Sequence, residues 1–156
     1  MAGKRVEAEN GCIDKIRHSK VKVTDKGTGK VAILLNPAKA QVRRIQMDRC
    51  LAPPEARAAD FVVSMPKVVD VIVELKGTNV AHAVDQIEST WTFWSSHPER
   101  TPAQVIGAWI LCSEYPRASL KVNRYRESFR SRGAVLLIST HNGEERSFAD
   151  FLPKRP

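Results

Sequence analysis

Residues 60 to 79, Asp60-Phe-Val-Val-Ser-Met-Pro-Lys-Val-Val-Asp-Val-Ile-Val-Glu-Leu-Lys-Gly-Thr-Asn79, constrain the fold more than any other stretch of the chain. Two apolar β-type runs, Phe61 to Val63 and Val68 to Leu75, flank a turn at Ser64 to Lys67 and predict a hairpin. Side chains alternate along a strand, so Ile72, Glu74 and Lys76 point one way while Val71, Val73 and Leu75 point the other. Isolated charges are expensive to bury, so Glu74 and Lys76 must pair, bind a metal or open onto a cleft. The hairpin brings Asp60 back beside Glu74, and an acid facing an acid-x-lysine makes a site for a metal and a phosphate. The plainer reading is a Glu74–Lys76 ion pair at the surface, worth about 0–1 kcal/mol. Asp70 shares their face but lies about 13 Å back along the strand, too far to share an ion with Glu74, and is expected at the surface.

Asp60 followed after a hairpin-length gap by Glu74-Leu75-Lys76 resembles the signature of the PD-(D/E)xK nuclease superfamily. Strand, turn, strand, Gly77 and a helix supply the matching context, and Ala59 stands where proline often precedes the acid. The wider pattern from Ala58 through Ile87 is similar to a small bacterial branch of that superfamily. The resemblance implies a restriction-endonuclease-like α/β core over about residues 56–140. It further implies a Mg²⁺ or Mn²⁺ site made by Asp60, Glu74 and the backbone carbonyl of Leu75. Lys76 would orient the attacking water or offset charge on the phosphate, and Gln86 would assist, with His82 a weaker helper. The activity implied is hydrolysis of nucleic acid, DNA above all, in bacterial defence or DNA repair, with a homodimer able to cut both strands. The alternative is a nucleic-acid-binding or assembly module that keeps the fold without catalysis.

The length of 156 residues suits one domain, with no repeat or composition shift to divide it. A formal charge of +8 favours a polyanionic partner. Arg117, Lys121 and Arg124 form one stripe of a later helix, by default a solvated face, and with this charge a surface for tracking phosphates. Residues 1 to 10 carry no apolar core of a signal peptide, and the longest apolar runs are too short to span a bilayer. Cys12, Cys50 and Cys112 are scattered, without a Cys-x-x-Cys pair, which predicts buried reduced thiols in a cytoplasmic protein.

Around the hairpin, a short helix is expected near Ala8 to Ile16; the resemblance would let Glu7 or Glu9 supply a further carboxylate, and a solvated surface acid is the plainer reading. A β-rich extension follows, with strands at Val21 to Val23, Val31 to Leu35 and Gln41 to Met47. Asp48, which closes the last of these, is expected as a turn-capping or ion-paired residue, the other reading being an approach to the metal site. Asn79 caps a helix whose apolar positions Val80, Ala83, Val84, Ile87, Trp91 and Trp94 recur at helical spacing. A doubly covered strand at Val105 to Cys112, a helix from Arg117 to Arg132 and a strand at Ala134 to Ser139 complete a mixed sheet flanked by helices.

Overall fold

The structure, a computed structural model, describes residues 11–76, 78–101, 105–114 and 119–154. Among these, nine strands form two mixed sheets. They are β1 (Ile13–Ile16), β2 (Lys20–Thr24), β3 (Val31–Leu35), β4 (Val42–Gln46), β5 (Phe61–Met65), β6 (Val69–Leu75), β7 (Val105–Leu111), β8 (Leu136–Ser139) and β9 (Glu145–Ser147). The larger sheet has the order β1-β4-β5-β6-β7-β8 and the smaller β2-β3-β9. Helix α1 (Val80–Ser95) joins β6 to β7, and α2 (Leu120–Ser131) joins β7 to β8. Both crossovers make parallel pairs, whereas β4, β5 and β6 form an antiparallel meander.

The large sheet is covered on both faces. Val62, Ile72 and Ile110 pack against Val80, Ile87 and Trp94 of α1 and Phe129 of α2. On the other face Val63, Val71, Val73 and Trp109 meet Val21, Val23 and Leu34 of the small sheet and Phe148 and Phe151 of a closing 3-10 turn. Every residue of β6 is buried, as its apolar run demands. Gly107 of β7 lets the 3-10 turn approach, because a Cβ there would lie 2.9 Å from Cβ of Phe151.

The hairpin forms where expected. Val68 N–H donates to Met65 O at 3.0 Å, and Pro66 is followed by Lys67 at φ 66°, the positive value that the third residue of a type II turn requires. The register Phe61↔Val73 sets Asp60 opposite Glu74 one step further on. At the start of α1, Asn79 Oδ1 accepts the amide N–H of His82 at 3.0 Å, while Gly77 lies outside the described residues.

Three expectations are overturned. Residues 13–16, placed at the end of a helix by the sequence, are strand β1, paired with β4. Ile13 packs into the helix-side cluster and Ile16 into the opposite one. A spacing of three puts two side chains on opposite faces only in a strand. Ala8, Glu7 and Glu9 lie outside the described residues.

Cys12 and Cys50 form a disulfide, with Cα atoms 5.6 Å apart and a sequence separation of 38. Pairing of β1 with β4, continued by Gln46 N–H donating to Cys12 O at 2.8 Å, brings Cys12 to the turn that carries Cys50. That contact is tertiary, and no local spacing announces it. The thiol ground for a cytoplasmic location falls with it. Cys112 remains free and buried. Third, Asp70 is fully buried rather than at the surface: its Oδ2 accepts Trp94 Nε1–H at 2.9 Å and lies 3.6 Å from Arg100 Nε. No described helix is long and apolar enough to cross a membrane.

Candidate active site

Asp60 sits at the start of β5 because the residues before it are held from two sides. Ala59 N–H donates to Thr90 Oγ1 of α1 at 2.7 Å, and Gln86 Nε2 donates to Ala58 O at 3.3 Å. From the other side, Asp48 N–H donates to Ala59 O at 3.2 Å and Met47 N–H to Asp60 O at 3.0 Å. Asp60 Oδ2 then accepts Leu75 N–H at 2.9 Å, which fixes its carboxylate against the end of β6.

Glu74 faces it from β6, 2% exposed, with its carboxyl group next to that of Asp60. Burial is the main reason that Asp60 titrates above the ordinary aspartate range. Glu74 is pushed up to about 10, first by burial, then by its hydrogen bond to Asp60 and that group's charge, with Lys76 pulling the other way. Without a cation the pair therefore carries a proton at neutral pH. Glu74 Oε2 and Gln86 Oε1 are both buried without a hydrogen-bond donor among the described residues. Two orphaned oxygens at one site are costly unless something satisfies them.

These groups open on a cleft of about 730 Å³, whose walls include Asp60, Glu74, Leu75, Lys76 and Gln86. The structure thus brings together the acids, the lysine and the glutamine singled out from the sequence. Gln86 donates its amide to Ala58 O and lines the cleft with the acids. His82 does not line this cleft, whereas Asp48 does.

Two walls were missed. One is the β2–β3 turn, where Asp25 O accepts Gly29 N–H at 2.8 Å and Asp25 Oδ2 accepts the Thr28 hydroxyl at 2.9 Å, carrying Lys26 to the rim. The other is the irregular turn Met47–Leu51, which puts Asp48 and Arg49 into the cleft, Arg49 at φ 59°. The Cys12–Cys50 bond ties that turn to β1. The placement of the first turn beside Asp60 depends on how the two sheets stack, which no local pattern encodes.

Of the basic stripe on α2, Arg117 lies outside the described residues. Lys121 is paired with Asp85 of α1 at 2.8 Å, and Arg124 is exposed beside it. Both line a separate depression between the helices rather than the cleft. No three His, Cys, Asp or Glu side chains gather as a ligand set among the described residues. A cation in the cleft would have two carboxylates, completed by backbone or amide oxygens. Comparison with protein-family models, curated proteins and solved structures finds no match to this chain.

Proposed function

We propose that the cleft hydrolyses phosphodiester bonds in nucleic acid, DNA in the first place, with a bound Mg²⁺ or Mn²⁺. The observation that carries this reading is the convergence of Asp60 and Glu74 from neighbouring strands, with Lys76 beside them and Glu74 Oε2 left without a donor. The order of the large sheet, a meander followed by α1, β7, α2 and β8, supports the restriction-endonuclease-like reading of the fold.

The donor set fits a hard divalent cation. Asp60 and Glu74 would hold it, the Leu75 carbonyl and Gln86 Oε1 are the neutral oxygens at hand, and the orphaned Oε2 would gain the partner it lacks. When bound, such an ion makes a coordinated water more acidic and draws charge from a phosphoryl oxygen. The chain's own groups do the rest. Lys76 and Gln86 Oε1 position a water, the lysine as donor and the amide oxygen as acceptor. The water oxygen forms a bond to phosphorus as the ester P–O bond breaks. One proton leaves the water and another reaches the departing oxygen. Lys76 offsets the negative charge that builds on the phosphate. Lys26 and Arg49 at the rim face the flanking phosphates.

Plasmid and single-stranded substrates titrated with Mg²⁺ or Mn²⁺ test the reading. Glu74→Ala and Lys76→Ala are each expected to cut at least about 10³-fold more slowly, on the order of 4 kcal/mol of barrier, with circular dichroism unchanged. Wild-type protein that binds nucleic acid without cutting it would favour the binding or assembly module instead.

A further inference from the structure

The six-stranded sheet ends at β8, and the edge it leaves is neither short of backbone groups nor neutral. We infer that this edge docks an acidic segment of another protein, in extended conformation, as an added strand. Ala108 N–H donates to Val135 O and Cys112 N–H to Ser139 O, so these carbonyls face β7. Backbone alternation then turns the N–H and C=O of Leu136 and Ile138 outward, away from β7.

A groove of about 690 Å³ runs along this edge, between α2 and the segment after the 3-10 turn. Its floor is apolar, with Leu137, Ile138 and Leu152 half-buried. Arg126 and Arg130 rise from α2 on one wall, Arg146 and Lys154 on the other. Asp150 is the only acid among the described lining residues, and its carboxylate is engaged by Ser147 N–H at 3.0 Å. Arg146 shares its Nε with Glu144 at 2.8 Å, whereas Arg130 and Lys154 are exposed.

Charge selects among occupants. A second copy meeting this edge about a two-fold axis would set the same cations against one another. A nucleic-acid backbone offers acceptors alone to an edge that alternates donors with acceptors, and has little use for an apolar floor. An extended acidic peptide supplies amides and carbonyls to β8 and carboxylates to both walls. None of the described groove residues lines the Asp60 cleft, so the inference stands apart from the proposed hydrolysis.

Fluorescence anisotropy of the full chain with a labelled eight-residue peptide of repeating Glu-Glu-Val-Val tests it, since that repeat puts carboxylates on both faces of a strand. Saturable binding is expected, weakened at least about tenfold by Arg130→Glu at an exposed position. Two peptides of the same charge, N-methylated at odd or at even backbone amides, separate strand addition from simple attraction. One of the two should lose about tenfold, because only alternate amides face β8. No binding, binding unchanged in Arg130→Glu, or equal binding of both methylated peptides and the parent would overturn the inference. So would a single-stranded oligonucleotide that displaces the peptide and is itself weakened by Arg130→Glu, which would assign the groove to nucleic acid.

Discussion

Asp70 and Glu74 lie on the same face of β6, four residues apart, and are 0% and 2% exposed. Their surroundings differ completely. Asp70 is met by the indole N–H of Trp94 and by Arg100, so its charge is answered within the fold. Glu74 is met by another acid, and one of its oxygens has no donor. A buried acid that the fold satisfies holds structure together. One that the fold leaves unsatisfied, at a cleft, is a candidate for a partner from outside. Substitution should therefore act in opposite directions at the two ends of one strand.

The largest effect is expected at Asp70. Asp70→Ala leaves the Trp94 N–H and the Arg100 guanidinium without their carboxylate, a loss of about 3–5 kcal/mol by analogy with other broken buried pairs. Urea denaturation measures it, and a change below 1 kcal/mol would erase the contrast.

Glu74 should show the reverse sign. Its titration in the folded chain is raised to about 10, so between the ordinary value near 4.5 and that point the unfolded chain releases a proton that the folded chain keeps. Stability of the cation-free protein therefore falls as pH rises through this window. Glu74→Gln removes that slope and is expected to stabilise the protein by about 1–3 kcal/mol at pH 8, read from melting curves in chelator at pH 5 and pH 8. A variant less stable than wild type at pH 8 would mean that the ionised acid is already satisfied.

Gln86 carries the smallest effect. Its amide nitrogen holds Ala58 O, so Gln86→Ala loosens the approach to Asp60 as well as removing Oε1 from the cleft. A slowing of about tenfold, near 1.4 kcal/mol, is expected in single-turnover cleavage. Gln86→Glu, which keeps an acceptor, should recover part of it.

Reading the sequence worked where the physics is periodic. Alternation along residues 68–75 and the hairpin gap set Asp60 opposite Glu74, and the helical spacing from Val80 to Trp94 identified the buried face of α1. Reading failed where one element meets another far away in sequence. The distance from Glu74 correctly placed Asp70 away from the cleft. It said nothing of Trp94, which comes down from α1 to meet it. Cys12 and Cys50 are joined only because β1 lies against β4. Lys26 and Arg49 entered the site through turns whose positions follow from sheet stacking and from the irregular path of residues 47–51, neither of which a local pattern encodes. Strand β9, three residues long and polar at every position, carried no apolar signal at all.

The most direct test is Mn²⁺ binding to the full chain, followed by the loss of free-ion resonance at pH 6.5, 7.5 and 8.5. If the acids of the cleft hold the ion, it must displace the proton they share, so affinity should tighten by up to about tenfold per pH unit. Glu74→Gln should abolish the site. Binding that is indifferent to pH and survives Glu74→Gln would contradict the claim that this pair of carboxyl groups is a cation site.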